Sequence, residues 1–163
     1  MRKYFVLLAA VFFVTTFAVA KDKNEPKFKS IEVKHFPNAE GVELPPEFSD
    51  FLYAELRAEL QKKKIAEQLL GEDEVVDAAD AAQSVVLEGS VLEYKKGSVV
   101  KESIIGFGAG ARSLTAHIKL TRRSNNEAII DKDLKVKAMA RMDAKALAKF
   151  LAGQITREIR NTE

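Results

Sequence analysis

The chain has 163 residues, with 26 Lys and Arg against 24 Asp and Glu, and no cysteine. That length supports one self-sufficient core, and the missing cysteine excludes a disulfide framework and any thiolate metal site. Taking Arg2 and Lys3 from the 26 basic residues leaves 24 against 24 in residues 21–163, so no net charge there argues for nucleic acid or an anionic membrane surface.

Arg2 and Lys3 precede an uncharged apolar run from Val6 to Ala18, and Ala18-Val19-Ala20 puts small residues where a signal peptidase reads them. This order predicts a cleaved secretory signal over residues 1–20. The rival is a membrane anchor. The 17 residues from Tyr4 to Ala20, interrupted by Thr15 and Thr16, sit at the lower limit for crossing a bilayer. No transmembrane segment is expected after cleavage. A bacterial lipoprotein needs Cys at the site where this chain has Lys21, so no lipid anchor is expected either. Residues 21–27, charged and interrupted by Pro26, are expected to form a disordered lead-in. Residues 28–163 are expected to form a single α+β domain.

Phe28 to Phe36 alternates, with Ile31, Val33 and His35 on one face and Ser30, Glu32 and Lys34 on the other, which predicts a strand. A loop with Pro37, Gly41 and Pro45 follows. Pro46 suits the first turn of a helix, and Phe48, Leu52, Leu56 and Leu60 then recur at four-residue steps to about Lys64. Lys62, Lys63 and Lys64 read as a solvated helix end matched to the dipole. Ile65 to Leu70 fits either a continued helix or a short strand. Gly71 to Ala82 is acidic and rich in Ala, with room for a short helix; it lacks the central Gly and the oxygen spacing of a calcium loop.

Ser84 to Lys95 predicts a strand whose alternation shifts near Gly89, which suggests a bulge there. Ser113 to Thr121 alternates cleanly, with Leu114, Ala116, Ile118 and Leu120 on one face. Ser124-Asn125-Asn126 reads as a hairpin turn, and Ala128 to Ala138 returns with Ile130, Leu134, Val136 and Ala138 in phase. Asp143 is placed to cap a last helix that carries Leu147, Phe150, Leu151, Ile155 and Ile159. The order predicts an α+β two-layer sandwich, a mostly antiparallel sheet with two amphipathic helices packed on one face.

Candidate chemistry is sparse. His35 and His117 both lie in strand contexts without metal-ligand spacing, and no G-x-S-x-G nucleophile elbow occurs. No metal, no cofactor and no catalytic residue is therefore expected. The unusual segment is Ile104 to Gly110, where Gly106, Gly108 and Gly110 alternate around Phe107 and Ala109. A phosphate loop would continue into Lys-Ser/Thr and a helix, whereas here Arg112-Ser113 and a strand follow. The segment reads either as a glycine-rich bend or as a pliable binding loop, with Gly106, Phe107, Gly108, Ala109, Gly110 and Arg112 as its contact residues.

The run Val86-Leu87-Glu88-Gly89-Ser90-Val91-Leu92-Glu93-Tyr94, then Gly97-Ser98, then Ile105-Gly106-Phe107-Gly108-Ala109-Gly110 resembles a bacterial domain of unknown function. Its members are small exported proteins and lipoproteins with a Gly-Phe-Gly-Ala-Gly signature. The resemblance is strongest over about residues 80–140. It implies an envelope location and an α+β domain, distantly similar to the periplasmic domains of curli-type secretion proteins. It implies no activity and no catalytic residues. Without Cys after its leader, the chain departs from the lipoprotein members. The resulting expectation is a non-enzymatic protein, periplasmic or secreted, that binds an envelope protein or cell-wall component. A small-molecule or glycan-binding domain is the alternative. A hydrolase using His35 with Glu40 or Glu43 is the third reading. The sequence leaves the oligomeric state open.

Overall fold

The computed structural model describes residues 25–74, 76–77, 79–98, 101 and 110–162. The leader expected over residues 1–20 lies outside the described residues. In chain order the elements are β1 (Phe28–Val33), α1 (Phe48–Lys62), β2 (Ala66–Leu70), a 3-10 turn (Ala81–Gln83), β3 (Ser84–Lys95), β4 (Arg112–Arg122), β5 (Ala128–Ala138) and α2 (Ala144–Asn161). The strands form one sheet in the order β2-β1-β3-β4-β5. The long strands β3, β4 and β5 pair antiparallel, so the sheet is mostly antiparallel, while β1 runs parallel to both of its neighbours. The β1–β2 pair is parallel because the intervening α1 carries the chain back to the end of the sheet where β1 began. Ile65 to Leu70 resolves as a strand start, with Lys27 N and Phe28 N both donating to the Ile65 carbonyl oxygen.

The core lies between the sheet and the two helices. Phe48, Leu52, Leu56 and Leu60 of α1 are fully buried, as are Leu151 and Ile155 of α2. They meet Ile31, Val33, Leu87, Val91, Leu114, Ile118 and Leu120 from the sheet. Each such side chain contributes about 1.5–3 kcal/mol by leaving water. Ala148 and Ala152 of α2 are also fully buried, and α2 packs against α1. Asp143 caps α2 as its position suggests, its Oδ1 accepting from Ala146 N at 2.7 Å. Asn126 supplies the positive φ, 56°, of the β4–β5 turn. The α1 helix starts later than Pro46 suggests: Glu47 is its N-cap, and Phe48 N donates to the Pro45 carbonyl. Past its C-cap Lys63, Lys64 at a φ of 51° takes the left-handed turn usually given to glycine.

Two readings of the strands need correction. β1 stops at Val33, and its second face is not solvent: Ser30 is 3% and Glu32 4% exposed. The strand lies inside the sheet, and the β2–β3 connection reaches over its outer face. Ser30 Oγ donates to Ser84 Oγ at 2.7 Å, and Ser84 Oγ to the Asp80 carbonyl at 2.7 Å. Glu32 accepts from Asp73 N at 3.2 Å and from the Arg123 guanidinium beyond the end of β4. The bulge in β3 falls between Val91 and Glu93, not at Gly89, which pairs regularly with Ile118. Leu92 is the extra residue and stands exposed.

Candidate functional site

The connection from β3 to β4 begins and ends on a fixed base. Ser98 N donates to the Gly110 carbonyl oxygen at 2.8 Å, and Gly110 is buried. A Cβ on Gly97 would stand 2.6 Å from that same oxygen and 2.8 Å from the Ala140 Cα. Only glycine fits at 97, because the two arms of the connection and the β5–α2 turn converge there. Of the six contact residues expected for a binding loop, Gly110 and Arg112 are placed at this base. Gly106, Phe107, Gly108 and Ala109 lie outside the described residues.

Arg112, the first residue of β4, is half-buried, and its Nε is buried without a hydrogen-bond partner. Beside it opens a cleft of about 550 Å³, lined by Glu43, Leu44, Pro45, Tyr94, Lys96 and Arg112. Gly41 borders the same cleft at a φ of 81° and turns the loop that forms its far wall. The cleft thus holds two cations, one carboxylate and two flat apolar surfaces, from Tyr94 and Pro45. Such a lining binds a polar or anionic group by charge and shape. Among the described residues its lining offers no hydroxyl or thiol nucleophile apart from the Tyr94 phenol, and no histidine.

The histidines occupy other places. His35 stacks on Tyr53, with ring centroids 4.0 Å apart and planes 11° from parallel. Its Nδ1 is 2.8 Å from Glu72 Oε1, which also accepts from the His35 backbone N–H, and its Nε2 is 3.7 Å from Asp50 Oδ1. The carboxylates at His35 are therefore Glu72 and Asp50, not Glu40 or Glu43. The backbone N–H of His35, then its ring, hold the Glu72 carboxyl below its usual range. Arg57 lies against the other partner of the stack, its guanidinium carbon 5.6 Å from the Tyr53 ring centroid, and donates to the Leu70 carbonyl at 2.6 Å. No Ser or Thr hydroxyl among the described residues hydrogen-bonds to His35, and the nearby Ser49 Oγ is committed to the Phe36 carbonyl at 3.0 Å. His117, on the open face of the sheet, lies between Asp133 (Nδ1–Oδ1 2.9 Å) and Asp131 (Nε2–Oδ1 3.4 Å) of β5. Among the described residues no group of three or more His, Asp or Glu side chains is placed to hold a metal ion.

The sequence alone did not expose the stack of His35, Tyr53 and Arg57 with Glu72 bonded to the His35 ring edge. Tyr53 and Arg57 stand four apart on one face of α1, which is a legible signal. The approach of Glu72 depends on the connection after β2 and leaves no local trace.

The fold and this site define a class: an α+β protein with two helices on one face of a mixed five-stranded sheet and a glycine-based loop beside a polar cleft. Residues 21–129 match the domain of unknown function DUF4410, and the chain belongs to that family. No curated protein matches the sequence. Among solved structures the chain is similar to the PelC dodecamer from Paraburkholderia phytofirmans, at 14% identity over 86% of this chain and 93% of that one, with a TM-score of 0.56. It is similar to a Xanthomonas campestris protein of family DUF330 at 14% identity, over 83% and 84% of the two chains, with a TM-score of 0.52. A hypothetical protein from Chlamydia trachomatis shares 12% identity over 81% and 93%, with a TM-score of 0.51. At these identities the likeness is one of fold. Among the described residues no helix is long and apolar enough to cross a membrane.

Proposed function

We propose that this chain is an exported, non-enzymatic envelope protein that acts by binding a protein or cell-wall component, with Gly106 to Gly110 and Arg112 as its contact surface. The observation that supports this reading is the built base of the β3–β4 connection. A hydrogen bond from Ser98 to Gly110 and a glycine at 97 hold the two arms together where only glycine fits. Connecting segments based on a fixed scaffold commonly carry binding residues. The leader pattern of residues 1–20 supports the envelope location. The proposed likeness to curli-type secretion domains rests on the Gly-Phe-Gly-Ala-Gly run. PelC is a dodecamer; assembly of this chain from several copies belongs to the same proposal, and light scattering after size exclusion reads it.

Fractionation of tagged protein with N-terminal sequencing tests the location. The expected result is a chain starting at Lys21 in the periplasmic or extracellular fraction; one that keeps Met1 in the membrane fraction overturns it. Pull-down from envelope extract tests the surface. Phe107→Ala is expected to lose the partners that the wild type recovers, and equal recovery makes the loop structural. The cleft with Tyr94, Lys96 and Arg112 supports a second reading, a small-molecule or glycan site. A thermal-shift screen that finds no ligand-dependent rise in Tm counts against that one.

A further inference from the structure

The outer surfaces of α1 and α2 leave a groove of about 440 Å³ between them, on the side away from the sheet. Lys63, at the end of α1, stands on one wall. The other wall is a stripe along α2 of Lys149, Gly153, Arg157 and Arg160, at the three- and four-residue steps that share a helix face. The stripe is about 16 Å long at 1.5 Å per residue. A Cβ on Gly153 would meet nothing within 4 Å, so the stripe dips at its middle.

Three observations give this groove a chemical character. First, Lys63, Lys149, Arg157 and Arg160 are exposed, and none makes an ion pair with a described residue. Glu59, the carboxylate on the groove wall, is 3.5 Å from Lys62 Nζ, and Glu158 turns to Lys132 of β5. The groove therefore carries four cations without an ion pair among the described residues, against the one carboxylate of Glu59. Second, Thr156 lines the groove at 2% exposure, and its Oγ1 has no hydrogen-bond partner. A buried hydroxyl left unmatched is costly, so a ligand whose entry opens a path to it gains a bond. Third, Phe150 offers part of its ring, and Gln154 an amide, in the same trough.

We propose that this groove binds a linear anionic glycan, a chain of sugars bearing carboxylate, phosphate or sulfate groups. Acid groups pair with the cations on both walls, sugar hydroxyls with Gln154 and Thr156, and a ring face rests on Phe150. A flat anionic bilayer would meet the helix crests and leave the trough between them unfilled. An acidic helix, about 10–12 Å across with its side chains, would ride on the same crests. The proposal rests on the reading that the chain acts by binding, and places on it a surface separate from the β3–β4 loop.

Fluorescence anisotropy with labelled hexagalacturonate, against neutral maltohexaose and hexaglutamate, tests it on the purified protein. Hexagalacturonate is expected to bind at least about tenfold more tightly than either rival, and to weaken as salt screens the cations. Lys149→Glu with Arg157→Glu should lose about tenfold or more, while Lys135→Glu with Lys137→Glu, on the open face of the sheet, should bind as wild type. Thr156→Val, which keeps the shape and removes the hydroxyl, should lose severalfold with its melting curve intact. Failure of hexagalacturonate to bind, equal or tighter binding of hexaglutamate, or wild-type binding by the charge-reversed protein overturns the proposal. Such a failure with Phe107-dependent pull-down intact removes the groove alone; loss of both removes the binding reading itself.

Discussion

Gly89 lies where β3 passes close to β4, and a Cβ there would run into the His117 carbonyl oxygen and the buried Phe36 ring. Gly89→Val must push the strands apart or expel Phe36. Overpacking of this kind costs about 1–3 kcal/mol, so the urea midpoint should fall clearly, and an unchanged midpoint would show that the strand pair yields freely. The sequence marks this glycine for a bulge because alternation breaks nearby. The real cause is close approach, and the break belongs to Leu92. Glu72 offers a second test at this scale. Hydrogen bonds from His35 lower its carboxyl below the ordinary 4.5. A depressed folded-state value means the contribution is complete at neutral pH and is lost as pH falls below 4.5 through the folded value. Glu72→Gln should therefore be less stable than wild type at pH 7, by a modest amount because both side chains are well exposed to solvent. The two proteins should converge in acid. A gap that persists at low pH would mean that the charged carboxylate is not what His35 holds.

Among the elements, β1 shows where pattern reading succeeds and where it stops. The alternation of Ile31 and Val33 with Ser30 and Glu32 makes the strand legible, and the buried apolar face is the one expected. The polar face reads as solvent because polarity is the only local cue. Its actual partners, Ser84 and Arg123, lie 54 and 91 residues away along the chain. The same limit hides the parallel pairing of β1, since neither it nor the flanking β2 and β3 carries a local sign of which strand it pairs with or in which direction. By contrast β4, β5 and both helices follow their apolar spacing, because their neighbours are adjacent in sequence or their stripes are long. Of the candidate site, the glycine-rich run and Arg112 were legible as composition; the pinning of Gly97 against Ala140 was not, because it needs three separate segments to meet. Glu32 gives the element-scale prediction. It joins β1 to the end of β4 through Arg123 and to the β2–β3 connection through Asp73 N. Glu32→Ala leaves a guanidinium and a backbone donor without their acceptor, a loss on the order of 3–5 kcal/mol. Glu32→Gln keeps an acceptor for Asp73 and should cost less. Equal costs would show that the Asp73 bond contributes nothing.

At the scale of the whole molecule, the separate question is whether the fold needs the β3–β4 connection. The core is closed by residues on either side of it: Val91 and Leu114 are fully buried, and the strands pair as far as Lys95 with Ser113. Below the loop, Ser98 and Gly110 already meet. A protein in which a three-residue Gly-Asn-Gly link replaces residues 99–109 keeps all of these contacts. Shortening the loop roughly fourfold lowers the entropy cost of closing it by about 1 kcal/mol, at about 0.6 kcal/mol per halving. The unfolding midpoint should therefore hold or rise slightly, while capture of envelope partners is lost. A clear fall in the midpoint would mean that residues 99–109 pack as part of the core. The Gly-Phe-Gly-Ala-Gly run would then be a structural bend, and the binding surface would have to be sought in the cleft beside Arg112 or in the groove between the helices.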